Sequence, residues 1–472
     1  MTLIINKIKK IKFELLVVLF AFFLSVLLAL HNLKTFDNNK LNYKGNWYNQ
    51  FIYVDTGHNW SDADDFRERL KNGKSFFNAL PAYEKYFLPT ITVGLYYYFI
   101  DKEIFVIKSN GQKVIKTGNY KFGYLFIQII FFYLSILYFS KQLKKKVNRL
   151  LFKLIILFLC LDPSIIQWHS SMWTESIFLS LLIFLFSFIL KENSNYIYNF
   201  LIGLVVGLLF SQRIVSFLYV IPVLIYFFFL RVKFKNYLFF FFGYLIIVFF
   251  IGYNNYKKTE MFYLLPPIHQ YYSYYHYFAH IIYADKYKIS REEASLILQH
   301  KENNWIKENK IDLNNILDFK KNVNYRNKSF VKIIISNPIF TFRFFAKKVF
   351  TMFIIHPLWV NENFYFDKTD PEAKKNPKKY YHANLKINIF YSFIIYFFAC
   401  IGLYSFFERI YKKKKIYQFD IFLIFNIMTV LYFVLISGLW GNPKYLAPCI
   451  LSIVLFFSMG AERLINFLKK KY

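Results

Sequence analysis

The sequence predicts an all-α integral membrane protein: a multi-span helical core with helical loops on its outer side. Three observations predict that class. Hydrophobic residues fill 56% of the 472 positions, and apolar runs long enough to cross a bilayer recur along the whole chain. The short connections between those runs carry clusters of lysine and arginine, the pattern by which membrane proteins fix their sidedness. Cys160, Cys400 and Cys449 lie in or beside apolar runs and suggest neither a disulfide framework nor a zinc site. A net charge of +32 would suggest nucleic acid in a soluble chain. Here much of it sits in short loops and reports topology, so no nucleic-acid partner is expected.

Taken in order, Lys7, Lys9, Lys10 and Lys12 precede the first apolar run, about Phe13 to Leu30, and put the N-terminus in the cytoplasm. That run is too long for a signal-peptide core and lacks a clear small-residue cleavage site, so it reads as a retained anchor. Residues 31–121 then lie outside, with the short apolar stretch Phe87–Ile100 resting in the interface. The second span, about 122–140, ends at Lys141, Lys144, Lys145, Lys146 and Arg149. Further spans are expected at 150–161, 174–190, 198–212, 214–230 and 237–252, with Lys191, Arg231, Lys233 and Lys235 in the inward turns. Residues 253–386 form a long outer segment whose amphipathic run, 338–358, either dips into the membrane or crosses it. Spans at 387–406, 417–437 and 446–467 complete about ten crossings, or more, with both termini cytoplasmic in a bacterial inner membrane. The chain therefore divides into an N-terminal membrane half (1–252), the outer segment (253–386) and C-terminal helices (387–472).

Ser61-Asp62-Ala63-Asp64-Asp65-Phe66 opens the stretch with the most chemistry. Ser61 and Asp64 have capping-box spacing, so a helix is expected to start near Asp62. Ala63, Phe66 and Leu70 make its apolar face, and Asn72-Gly73 stops it. Asp62, Asp64 and Asp65 would then share a first turn, where the helix dipole favours ionised carboxylates. One of them could serve as a general base; the alternative is that they only cap and solubilise the helix. On the expected outer face they are joined by Asp55, His58, Trp168, His169, Thr174, Glu175, Arg213, His269, His276, His280, Lys444 and Tyr445. Polar groups collected at one membrane boundary form a site hypothesis. No P-loop or Rossmann fingerprint is present, so a donor presented from the membrane fits better than a soluble nucleotide. Arg213 suits a phosphate or a snorkelling role equally. Glu175 either acts in the site or simply favours a helix N-terminus. His276 and His280 have the spacing of a metal pair, but aromatic surroundings favour packing or substrate lining. A divalent metal is therefore unsupported and no cofactor is assigned. Arg343, Lys347 and Lys348 most simply anchor an interfacial helix at lipid headgroups.

In order, these motifs resemble those of the GT-C membrane glycosyltransferases, in the branch of the polyprenyl- or dolichyl-phosphate-mannose protein mannosyltransferases and the aminoarabinose transferases. Asp62-Ala63-x-x-Phe66 continuing to Leu70-x-x-Gly73 resembles the family's first-loop pattern. The segment from Pro163 to Thr174-Glu175-Ser176-Ile177-Phe178 is similar to its second loop. Gly203-x-x-x-Gly207 with Arg213 resembles the glycine-rich span leading to an arginine, and Gly441-Asn442-Pro443-Lys444-Tyr445-Leu446-x-Pro448 resembles the closing element. Lys444 stands where the family usually has arginine, so a point charge replaces a bidentate one. The resemblance implies inverting transfer from a lipid-phosphate sugar to an acceptor lipid, protein or glycan. Asp62 would be the base, Asp64, Asp65 and Glu175 supporting acids, and Lys444, Arg213, His169 and Tyr445 would lie near the donor phosphate. A transporter or flippase of a lipid-linked saccharide is the alternative, though no pseudo-repeat of the kind transporters carry is visible.

Overall fold

Apolar runs separated by basic turns fold into helices that pass back and forth between two ends of one bundle. The computed structural model describes residues 12–38, 54–82, 87–107, 113–115, 118–171, 174–191, 195–264, 275–313, 315–354, 377–413, 416–438 and 443–471. Helix α1 (Phe13–Asn38) leads to a cap of α2 (Val54–Lys71), the single turn α3 (Phe76–Ala79) and α4 (Phe87–Phe99). A small antiparallel hairpin follows, β1 (Phe105–Ile107) on β2 (Lys113–Ile115), with Val106 opposite Val114. The chain continues through α5 (Lys121–Leu143), α6 (Arg149–Leu161), α7 (Pro163–His169), α8 (Thr174–Leu190) and α9 (Tyr196–Gln212). A 3-10 turn, Ile214–Tyr219, enters α10 (Val220–Phe229), and α11 (Phe234–Thr259) follows. The outer segment holds α12 (His280–Tyr287), α13 (Arg291–Glu308), α14 (Ile316–Ser336) and α15 (Pro338–Ile354). Last come α16 (Pro377–Lys413), α17 (Gln418–Ser437), a 3-10 segment at Pro443–Cys449, and α18 (Ile450–Lys471).

Among the described residues, α1, α5, α11, α16, α17 and α18 are long and apolar enough to cross a membrane. The six become up to eight if two bent pairs, α6/α7 (49°) and α14/α15 (101°), each count as one span. The helices α8 and α9 and the stretch Ile214–Phe229 are shorter, and at about 1.5 Å per residue fall short of a hydrocarbon core of about 30 Å. Helix α8 is shielded by its neighbours and buried on nearly every side, as a helix apolar all round must be. With α6/α7, these segments occupy the ten places where crossings were expected; among the described residues, six of the ten, or seven with α6/α7, have the length and apolarity of a span. Phe20, Phe23, Phe242, Phe249, Phe393 and Phe397 point outward as an exposed apolar surface, which a bilayer would cover. The protein is thus an all-α integral membrane protein.

Side-chain contacts set the direction of each pass. Glu14 at the start of α1 meets Lys144 beyond α5 at 2.9 Å, whereas Asn32 near its far end donates to the Ser170 carbonyl at 3.2 Å. We call the Ser170 end upper and the Lys144 end lower. Helices α9 and α11 run parallel in near backbone contact: a Cβ on Gly203 would lie 1.9 Å from the Phe240 carbonyl oxygen, and one on Gly243 2.2 Å from that of Phe200. Small residues permit this approach, the usual device of helix packing in lipid. Helix α15 turns sharply from α14 and brings Val349 and Phe345 against Gly438 at the upper end of α17. A second, smaller apolar cluster (Tyr275, Ala279, Ile282, Leu298, Ile333) knits α12 to α14. Buried Glu302 ties α13 to α14 through Arg326 and, at 3.1 Å, Asn322.

Candidate functional site at the upper end of the bundle

The first-loop helix does not begin at Asp62. Helix α2 opens at Val54, so Ser61 is not its N-cap and Asp62, Asp64 and Asp65 lie inside it, away from the positive end of its dipole. The first-turn acid is Asp55, whose side chain lies outside the described residues, as does that of His58. Packing overrides the local capping signal. Ala63 and Phe66 are fully buried under α4, where a Cβ on Gly94 would come within 2.9 Å of the Ala63 carbonyl. Asp64 is buried in an ion pair with Arg67 at 3.0 Å, and Arg67 also donates to the Lys102 carbonyl at 2.7 Å. The Ile104 N–H donates to Asp64 at 3.4 Å, so this acid fastens α2 to the turn beyond α4. Asp65 is exposed and Asp62 half-buried. At the helix end Lys71 pairs with exposed Asp101, and this hydrogen bond and charge hold the Asp101 carboxyl below its usual range.

The cap formed by α2 to α4 is attached at the upper end of α11. Asn254 donates to the Pro81 carbonyl at 2.8 Å, Lys258 to that of Asn78 at 2.7 Å, and the Phe87 and Phe250 rings meet edge-on at 5.6 Å. Close by in the fold, where α8 begins and α9 ends, Glu175 and Arg213 form an ion pair of 2.9 Å with side chains 3% and 4% exposed. Thr174 donates to the other Glu175 oxygen at 3.2 Å, and Gln212 donates to the Thr174 carbonyl at 2.9 Å. The structure therefore brings two predicted site residues together, each neutralising the other in a low-dielectric setting. Arg213, expected beside a phosphate, meets the Glu175 carboxylate.

His169 was expected near the donor phosphate. It is fully buried, its ring stacked on Phe132 at 3.8 Å and edge-on to Tyr133 at 5.8 Å. Lys444 and Tyr445 lie on the 3-10 segment Pro443–Cys449, which packs against α8, α15, α17 and α18; their side chains lie outside the described residues. His269 and the His276 side chain also lie outside them. Among the described residues, no group of three or more His, Cys, Asp or Glu could hold a metal ion.

Two features escaped the sequence reading. Asp162, buried at the α6/α7 break, caps α7 by accepting from the Ser164 and Ile165 N–H groups at 2.9 and 3.3 Å, and also accepts from the Tyr391 hydroxyl at 3.1 Å. Its signal was the Asp-Pro step, an N-cap followed by proline at N1. The second is a concentration of buried polar atoms without a hydrogen-bond partner among the described residues. Gln167, His169, Ser171, Ser176, Gln212 and Ser216 each contribute at least one, all close in sequence to the start of α8 or the end of α9. Buried polar groups are normally satisfied, so this cluster sets the region apart from the apolar core around it.

No family model matches the chain, and no curated protein matches it. Among solved structures, the chain is similar to the archaeal oligosaccharyltransferase AglB from Archaeoglobus fulgidus, solved in complex with an inhibitory peptide and a dolichol-phosphate. The identity is 12% and the TM-score 0.44, over 97% of this chain and 52% of that one, so the chain spans about half of that protein's length.

Proposed function

We propose that the protein is a membrane glycosyltransferase that moves a sugar from a polyprenyl-phosphate donor to an acceptor hydroxyl at the upper end of the bundle, facing outward from a bacterial inner membrane. One observation carries the reading. Buried ionic groups and unsatisfied polar atoms gather at the upper end, beside the acidic helix α2 and the lysine-bearing 3-10 segment. In a membrane protein such groups mark a wet, functional site.

In the proposed reaction a carboxylate of α2 takes the proton from the acceptor hydroxyl. The acceptor oxygen attacks the anomeric carbon from the face opposite the phosphate, and the bond from that carbon to the phosphate oxygen breaks with inversion. The lipid phosphate leaves with the bonding electrons, its charge met by Lys444. Asp62 is the proposed base. Asp55 is the second candidate, favoured by its first-turn position in α2. Glu175 and Arg213 act as a pair that shapes the floor of the site; His169 packs behind it.

The test is release of sugar from a polyprenyl-phosphate donor by the purified full chain in detergent, with inversion read from the product. A flippase would move the donor between leaflets of a vesicle and leave the sugar attached, and that outcome would replace the transferase reading.

A further inference from the structure

We infer that the lower end of the bundle holds a binding site for the phosphate headgroup of an anionic phospholipid. The turn 146–148 and helices α6, α16, α17 and α18 enclose a cavity of about 530 Å³, within the usual range of small-ligand sites. Lys146, Arg409, Arg463 and Lys470 line it against a single carboxylate, Glu462. The positive groups are braced from behind. Arg463 pairs with Glu408 at 2.6 Å, Arg409 pairs with Asp420, and Asp420 is itself held by the Tyr417 N–H at 2.9 Å. Lys146 reaches Gln418 at 3.3 Å, and Asn148 occupies Glu462 at 2.5 Å. A guanidinium has five N–H donors, so these pairings leave both arginines with donors to spare. The Arg409 Nε is buried without an acceptor among the described residues.

The other lining decides between a lipid and a soluble phosphate. Phe419, Met459 and Phe467 share the cavity with the cations, and Phe467 is 63% exposed. Apolar side chains beside basic ones, at the level where the spans end, match the point at which acyl chains meet headgroups. A free phosphate has no use for such a wall. The site is separate from the proposed transfer chemistry, since the α18 residues that line it, Met459 to Lys470, stand roughly 14–30 Å along the helix from Ile450 at its upper end.

The test reconstitutes the full chain in nanodiscs of phosphatidylcholine with a minor fraction of phosphatidylglycerol, and native mass spectrometry reads the lipids retained on extraction. The wild-type protein is expected to retain phosphatidylglycerol preferentially. Lys146→Gln with Lys470→Gln is expected to reduce that preference about fivefold or more. Lys145→Gln with Lys469→Gln removes the same charge at exposed positions outside the cavity and is expected to change it by less than about twofold. Equal effects of the two pairs would mean general attraction to an anionic surface and would overturn the site. Should the first pair fail to fold, Lys470→Gln alone, at an exposed position, must still lower the preference; no change overturns it. Displacement of the retained lipid by glycerol phosphate would assign the cavity to a soluble phosphate and overturn the lipid.

Discussion

At the upper end, Glu175 and Arg213 stand 2.9 Å apart with side chains 3% and 4% exposed. At the lower end, Arg463 and Glu408 stand 2.6 Å apart with side chains 39% and 25% exposed. The separations are similar, but solvent access is not. The Arg463–Glu408 pair is screened by water and contributes little, whereas the Glu175–Arg213 pair has lost its hydration. Among the described residues, most of the buried polar atoms without a hydrogen-bond partner also lie near the start of α8 or the end of α9 or elsewhere toward the upper end, although the Arg409 Nε at the lower end is one too. Lower-end charge sits largely at the water-exposed ends of the helices. Upper-end charge has been drawn into the protein at a cost, and function is the usual reason for that.

The sharpest way to break this comparison is to remove the proposed base. Asp62→Asn is expected to cut sugar transfer by about 10²–10⁴-fold while leaving membrane insertion and elution profile unchanged. Asp55→Asn, made in parallel, decides which carboxylate of α2 is used, because only one of the two should show the full loss. If both retain wild-type turnover, α2 does not supply the base.

The comparison itself is tested by stability. Glu175→Gln is expected to cost about 3–5 kcal/mol by removing the negative charge that faces buried Arg213. Glu408→Gln at the lower end is expected to cost far less, because that pair is open to water. Chemical denaturation in mild detergent measures both. The double change Glu175→Leu with Arg213→Met should recover much of the first loss, and equal losses at the two ends would remove the distinction.

Much of the fold was legible because its signals are local and repeated: each of the ten apolar runs read as a span is helical among the described residues, and basic turns such as 144–146 mark the lower end. The start of α2 was not. Ser61-x-x-Asp64 is a genuine capping spacing, but it lost to burial of Ala63 and Phe66 against Gly94 and to the Asp64–Arg67 pair. Nor was the meeting of Glu175 with Arg213 legible. Each residue was conspicuous alone, but they are 38 positions apart on different helices, and nothing in a helical period relates them. The same holds for Asp162 and Tyr391, 229 positions apart.

A smaller effect is expected from the cation near the end of the chain. Lys444→Ala should raise the donor concentration needed for half-maximal transfer by about tenfold or more, as loss of a charged hydrogen bond would, with acceptor dependence nearly unchanged. Lys444→Arg should restore donor use, since the guanidinium keeps the charge and adds a second donor. Equal shifts for donor and acceptor would count against a phosphate contact.

The smallest effect belongs to the rim of the upper end, where charge is paired in water. Lys71 holds the Asp101 carboxyl below its usual range, mainly through the hydrogen bond and then through its charge. The folded value is the lowered one, so the pair stabilises the fold above the unfolded carboxyl value, about 3.9, and that contribution fades as pH falls through the folded value. Asp101 is fully exposed, so the contribution is small and salt-sensitive. Lys71→Met should therefore lower the melting temperature slightly at neutral pH, and the gap from wild type should close on acidification or in high salt. A gap that persists in both would mean that Lys71 acts by packing along α2, and the rim would then resemble the buried site beneath it more than the lower end.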